Sequence, residues 1–495
     1  MKKIATIFLL GIWFVTGKAQ NPDFKAEYDA FRNQARKDYN DFRDAANAEY
    51  TKFMSEAWKL YQSMPEIPVP KEEDVKPPVI IPRGEIEKIP ESKPVPYKEV
   101  IPPPPVVIQE QPKPVAPVPV APPVANEKQF NFTAFGTNCK VRLSNENKFS
   151  LTDCKEGTVA KAWQRLSQPE YNNLLRDCLD LRNSLNLCDW AYLEMLEQLS
   201  ASFCGKGSNE ATLLTAFLYN QSGYKMRLAR SETNRLYFLV ASRHVIYKMQ
   251  YYTIAGDKFY VMDSNDKGLY IFDRAFPNEQ SLSLTVGKEQ YFAMDPTAKK
   301  TLTSERYPQV TAAIASNRNL INFFDTYPKS HINNDPTTVW TFYANTPLSQ
   351  SVKDILYPVL KNAIQGKSEQ DAANILINFV QTAFEYKTDD EIWGGSGIDR
   401  PLFADETIYY PYSNCKDRAI LFSRLVRDLM GLKVVFLFYP GHLATAVQFH
   451  ESIPGDYLIV NGVRYLVCDP TYIRANIGRT MPGMDNSTAS VVFLE

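Results

Sequence analysis

The sequence predicts an exported protein of the α+β class: a long helix, a proline-rich disordered linker, and a folded body that carries the same α+β unit twice in tandem. Three observations lead there. An aromatic repeat of 11 residues runs from Tyr28 to Tyr61, 19 of the chain's 34 prolines fall between Pro65 and Asn126, and a helix–strand–hairpin pattern around Ala211 returns around Ala419. The divisions fall at residues 1–19, 20–63, 64–126, 127–300 and 301–495.

Residues 1–19 read as a signal peptide. Lys2 and Lys3, the apolar run Ile4–Val15 and then Gly17-Lys18-Ala19 are too short and wrongly flanked for a membrane span. The expected location is therefore the periplasm or the cell surface. No cysteine stands at the cleavage point to carry a lipid, and no later apolar stretch approaches spanning length, so no transmembrane segment is expected in the mature chain. A net charge of −1 suggests neither nucleic acid nor anionic lipid as a partner.

In residues 20–63, Tyr28, Tyr39 and Tyr50 recur with Phe31, Phe42 and Phe53 and with Ala35, Ala46 and Ala57. Eleven residues make three helical turns, so the stripe stays on one face of a single long helix. Its aromatic face over residues 24–61 calls for a partner, either another copy of the chain or an envelope component, with packing back on the chain's own folded body as the lesser alternative. Residues 64–126, with Pro102–Pro105 and the alternation Val115–Val120, form no packed core and read as a polyproline-II spacer.

Within residues 301–495, Cys415 opens an apolar helical pattern (Ala419, Leu421, Phe422, Leu425, Val426, Leu429) that stops at Gly431. A thiolate is favoured at such a helix start, where unpaired N–H groups gather. The strand Lys433–Tyr439 ends in the turn Pro440-Gly441, and His442 begins the next strand. A hairpin follows, Tyr457–Val460 and Val463–Cys468 joined by Asn461-Gly462, a strong type I′ turn signal, and Asp469 closes it. Thiol, imidazole and carboxylate thus come in order, 27 and 27 residues apart. A cysteine attacks a carbonyl as thiolate, an imidazole takes its proton and returns one to the leaving amine, and an acceptor on the second ring nitrogen fixes the tautomer.

The runs Ser413–Ala419, Gly441-His442 and Tyr465–Thr471 resemble the transglutaminase-like, papain-type thiol superfamily, over roughly residues 348–473. The resemblance implies a papain-like cysteine-proteinase fold for both units, with Cys415 as nucleophile, His442 as general base and acid, and Asp469 as orienting group. Asp417 fits the Cys-x-Asp form of many microbial members, or equally an acid complementing the helix N-terminus. One oxyanion donor is the Cys415 N–H; Gln381, Tyr386 and Trp393 are candidates for the second. His450 reads as a loop histidine and Cys468 as core.

Residues 127–300 read as a degenerate copy. Ala211–Gly223 matches Ala419–Gly431, and Lys258–Asp263 matches Arg464–Asp469. Gly207 falls where Cys415 lies, Asn209 where Asp417 lies, and Asn234 or Arg235 near His442; Asp263 alone corresponds. Cys204 stands three residues early. The second copy also has an insert, Tyr386–Pro411, expected to form a lip of the substrate cleft. In an exported chain Cys139 and Cys154, flanking a hairpin, are expected to form a disulfide. Nothing in the sequence requires a cofactor or a metal. Two functions stay open: a peptidase, amidase or cross-linking transglutaminase acting on a peptide or protein substrate through Cys415, or a non-catalytic scaffold of the envelope.

Overall fold

The computed structural model describes residues 22–70, 75–85, 91–103, 128–262, 264, 266–332, 335–388, 391, 400–494. The proposed signal peptide, Asp263 and Trp393 lie outside these residues. The described chain is mixed α+β, and none of its helices is long and apolar enough to cross a membrane.

The aromatic repeat forms the helix Pro22–Met54, shorter at its C-terminal end than the sequence suggested. Its stripe divides in two. Tyr28, Phe31 and Phe42 are exposed, whereas Asn47, Tyr50 and Met54 are buried against the chain's own body. Tyr50 packs with Trp163, Phe272 and Phe276 at centroid distances of 5.4, 4.8 and 5.0 Å. Asn47 accepts from Trp163 Nε1 at 3.1 Å and donates to Gln221 at 3.1 Å. The expectation that the whole aromatic face waits for a partner is therefore corrected for the last turns. A loose spacer was to have separated helix from body; instead Lys59–Gln62, beginning five residues past the helix end, pairs antiparallel with Gly268–Ile271.

The same correction extends along the proline-rich segment, whose described parts lie on the body. Lys93-Pro94 pairs with Asp456-Tyr457, and Glu99–Ile101 pairs with Ser490–Val492. Proline lacks a ladder donor but is tolerated at a sheet edge. Each of these short strands sits at an edge, which caps the exposed backbone groups of the sheets they join.

Two antiparallel sheets carry the body. In the first, the strands run in the order Gly268–Phe272, Met226–Arg230, Leu236–Ala241, Asp257–Val261, Tyr251–Ile254. In the second the order is Ser490–Phe493, Val434–Tyr439, His442–Val447, Val463–Cys468, Asp456–Val460. Counted along the chain, the two orders are the same. Each sheet is preceded by a helix pair, Asp189–Cys204 with Asn209–Gln221 and Glu369–Thr382 with Cys415–Met430. One apolar cluster joins the units, from Trp163 and Phe203 through Phe323 and Phe324 to Phe403, Ala419 and Phe436; Phe324 stacks on Phe403 at 4.1 Å.

The expected disulfide is not formed. Cys139 and Cys154 are free, buried thiols. Cys139 Sγ points to the Thr137 carbonyl within its own hairpin, whereas Cys154 Sγ donates to the Asn234 carbonyl at 3.2 Å on a different element. Burial pushes both thiols up, Cys154 to about 11.

Candidate active site

Cys415 is the first residue of the helix Cys415–Met430, and the cap behind it is built from sequence neighbours. The Asn414 side chain accepts from Lys416 N at 3.0 Å, and the Asp417 carboxylate reaches back to Asn414 N at 2.9 Å. This reciprocal capping box satisfies orphan donors of the first turn and leaves the Cys415 N–H untaken by the cap. Asp417 Oδ1 also accepts from Leu402 N at 2.8 Å. Burial raises the Asp417 carboxyl above its ordinary range, against the pull of those two N–H groups. Of its two sequence readings, the structural one fits these contacts.

At the other end of the helix Gly431 takes the left-handed conformation, φ 68°, as a terminating glycine does. The chain returns as Val434–Tyr439 and turns through Pro440-Gly441, so that Tyr439 pairs with His442. In the hairpin beyond, Asn461 and Gly462 both have positive φ, 52° and 77°, which a type I′ turn demands. That turn sets the register. Thr445 pairs with Cys468, so continuing by one residue places Asp469 opposite Ala444 and diagonal to His442 on the same face. Cys468 points the other way into the core and is fully buried.

The three side chains meet. His442 Nε2 donates to Asp469 Oδ2 at 2.8 Å, and Asp469 Oδ1 accepts from Thr471 N at 2.8 Å. The other ring nitrogen, Nδ1, is buried without a hydrogen bond among the described residues, and the Cys415 thiol is the second group, after Asp469, that favours the charged ring. Burial pulls the imidazole pKa down, but the Asp469 carboxylate, followed by Cys415, outweighs it and raises the ring from 6.5 to about 10. Cys415 and His442 line one cavity of about 300 Å³ with Trp340, Leu443, Pro70 and Val75.

The oxyanion candidates fare differently. Gln381 is committed elsewhere: Nε2 donates to the carbonyls of Asp469, Tyr472 and Ala475 at 3.2, 2.7 and 3.1 Å, and Oε1 accepts from Arg474 N. It holds the loop that carries Asp469, so as an oxyanion donor it is corrected. The Tyr386 hydroxyl donates to the Lys76 carbonyl at 3.5 Å, and its ring faces the Arg418 guanidinium. Trp393 lies outside the described residues. Trp340, which sequence reasoning missed, lines the Cys415 cavity, and its indole N–H is buried with no acceptor among the described residues.

Arg418 was missed as well. Fully buried, it donates to Ser413 Oγ and to the carbonyls of Gln381 and Phe384 at 3.0, 3.2 and 2.9 Å, so it ties the end of Glu369–Thr382 to the start of Cys415–Met430. The described end of the insert, Arg400–Pro411, is no lip. Arg400 forms a buried two-pronged pair with Glu406 at 2.7 and 2.6 Å, and Asp405 accepts from Ser349 N. His450 is an exposed residue paired to Glu369.

In the first unit the helix after the cap Ser208 begins with Asn209, so by its place next to the cap Asn209, and not Gly207 as the sequence alignment has it, corresponds to Cys415. Asn209 Nδ2 donates to the Asn234 carbonyl, and its Oδ1 accepts from Leu236 N at 2.9 Å. Cys204 is a partly covered thiol that burial pushes up to about 12.

No family model, curated protein or solved structure matches this chain.

Proposed function

We propose that this chain is an exported thiol acyl-transfer enzyme of transglutaminase-like type, acting on peptide or glutamine amides through Cys415, His442 and Asp469. The observation that carries the reading is the buried, coupled row of Cys415, His442 and Asp469 at a helix start that faces a cavity. Neighbouring buried groups that serve only packing have no need of a charged imidazole between a thiol and a carboxylate, and strongly shifted groups of this kind gather at functional sites.

In the proposed cycle the Cys415 sulfur, as thiolate, attacks the amide carbon and forms a C–S bond while the carbonyl oxygen takes the negative charge. The Cys415 N–H and the Trp340 indole N–H are the donors available to that oxygen. As the intermediate collapses the C–N bond breaks, and His442 Nδ1–H gives its proton to the leaving nitrogen. Asp469 holds the ring by Nε2 throughout, so Nδ1 stays turned toward the sulfur. Water, or a second amine, then gives a proton to His442 and attacks the thioester, and the thiolate departs. Water makes the protein a peptidase or amidase; an amine makes it a cross-linking enzyme.

Incubation with labelled glutamine peptides, with and without a primary amine, tests the reading. The expected result is an acyl-enzyme mass on Cys415 and a product that is acid without the amine and amide with it. A Cys415→Ala protein that converts the peptides as fast as the parent overturns it.

A further inference from the structure

Described residues of the proline-rich segment are anchored on the first sheet at one end and on the second at the other, with Pro70 and Val75 at the Cys415 cavity. On the first side Met64 N donates to the Tyr251 carbonyl at 2.8 Å, and Lys248 N donates to the Ile67 carbonyl at 2.9 Å. On the second side Ile473 N donates to the Val79 carbonyl and Ile81 N to the Ile473 carbonyl, at 2.9 and 3.0 Å. Val79 and Ile81 pack there on Tyr472, Ala475 and Met481. Between these anchors Pro70 and Val75 line the Cys415 cavity, and Cys415 is only 2% exposed.

The contacts of Lys76 distinguish this from ordinary packing. Its N–H donates at 3.0 Å to the carbonyl of Gly441, the residue before His442. Its carbonyl oxygen faces the Tyr386 hydroxyl at 3.5 Å. One residue, next to Val75 of the cavity wall, is thus bracketed through its main-chain donor and acceptor, which is how a site reads a peptide backbone irrespective of side chain. The sequence prepares this conformation. A residue before proline is driven to extended geometry, and Pro77-Pro78 follow Lys76. Prolines at 68 and 70 stiffen the approach from the other side, so little entropy is lost on docking.

We propose that this segment, through Pro70 and Val75-Lys76, sits in the Cys415 cleft as an extended peptide substrate does, and keeps the thiol closed to other peptides until it is displaced. The inference rests on Cys415 being the nucleophile, and it deepens that reading in two ways. The substrate is an extended polypeptide that offers an N–H to the Gly441 carbonyl, and the full chain is self-restrained.

The test uses the full-length protein and the rate at which Cys415 is alkylated by iodoacetamide and by a bulkier maleimide, with the labelled residue read by peptide mass spectrometry. Lys76→Pro removes the N–H that Gly441 accepts, and Val75→Asp places a charge against the apolar cavity wall; Lys76→Ala keeps the backbone bond. Loss of one backbone hydrogen bond raises the open population, and with it the labelling rate, by about tenfold. The first two variants are expected to show that rise, larger for the maleimide, with melting temperatures close to the parent's, while Lys76→Ala labels at the parent rate. Equal rates in all four proteins overturn the strap. The nucleophile is judged separately, by whether Cys415→Ala abolishes amide conversion, so either idea can fail alone.

Discussion

Replacing Asp469 with asparagine probes the link on which the chemistry depends. The carboxylate accepts from two groups, His442 Nε2 through Oδ2 and Thr471 N through Oδ1, both at 2.8 Å. Asparagine fits the same space and can keep the Thr471 bond, but it then turns an NH₂ toward Nε2. Nε2 must give up its proton, and the neutral ring carries it on Nδ1, where it can no longer receive one from sulfur. Raising an imidazole from 6.5 to about 10 corresponds to about 5 kcal/mol favouring the charged ring, at about 1.4 kcal/mol per tenfold. That figure is a net one, with burial opposing and Cys415 adding to the carboxylate, so it measures the whole environment of the ring and not Asp469 alone. With the carboxylate gone, burial dominates and the ring should titrate below 6.5. Only four histidines are present, so the His442 C2–H resonance can be followed by NMR across pH. Expected are a midpoint near 10 in the parent, one below 6.5 in Asp469→Asn, and a fall in turnover on the order of 10³-fold or more. The folded pKa lies above the unfolded one, so the stability this pair contributes is complete below about pH 6.5 and is lost as pH rises through about 10. The variant should therefore be less stable than the parent by about 3–5 kcal/mol near neutrality, and the gap should close in alkali. A parent midpoint near 6.5, or one that the substitution leaves in place, refutes this account.

Trp340→Phe keeps a ring against Phe438, 4.7 Å away, and deletes only the indole N–H; kcat should fall on the order of 100-fold with little change in melting temperature, and an unchanged kcat removes Trp340 from the oxyanion site. Gln381→Leu strips a buried amide from three carbonyls and one N–H, so urea unfolding should show a loss of about 3 kcal/mol. If stability holds while kcat alone drops, Gln381 acts on the oxyanion after all.

The site was readable in sequence because each member is announced locally. Cys415 follows a capping asparagine, His442 follows Pro440-Gly441, and Asp469 ends a hairpin whose register Asn461-Gly462 dictates; these signals act over a few residues and need no knowledge of the rest of the chain. The misreadings concern partners far apart in sequence. Proline content says that residues 64–126 build no core of their own, but it is silent on whether their short extended pieces dock on edges formed hundreds of residues later, as Lys93-Pro94 does on Asp456-Tyr457. Tyr28 and Tyr50 look alike in the repeat; only the presence of Trp163 and Phe276 beside Tyr50 separates the buried from the exposed end. Gln381 was sought in the right neighbourhood with the wrong role, because a glutamine's type does not reveal that backbone carbonyls of a neighbouring loop converge on it. Trp340 has no local signal at all: the cavity that gives it meaning is assembled from Cys415, His442 and the proline-rich segment.

The two sheets share a strand order, and the contrast between them bears on the row Cys415, His442 and Asp469 in the second. In both units a helix start must be fastened to the start of the second strand. The first unit does it with one neutral side chain: Asn209, next after the cap, bonds to Asn234 O and Leu236 N. In the second unit the residue next after the cap is Cys415, and the residue opening the second strand is His442. There the junction is made by a thiol, an imidazole raised to about 10 and a carboxylate, all buried. Burying charges costs several kcal/mol per ion before their attraction offsets it. A fold that closes the same junction with an asparagine has no structural need for that arrangement. On the proposed reading the charged row acts on a carbonyl in the adjacent cavity, and the segment bearing Lys76, its backbone bracketed by Gly441 and Tyr386, is placed as the proposed substrate would be.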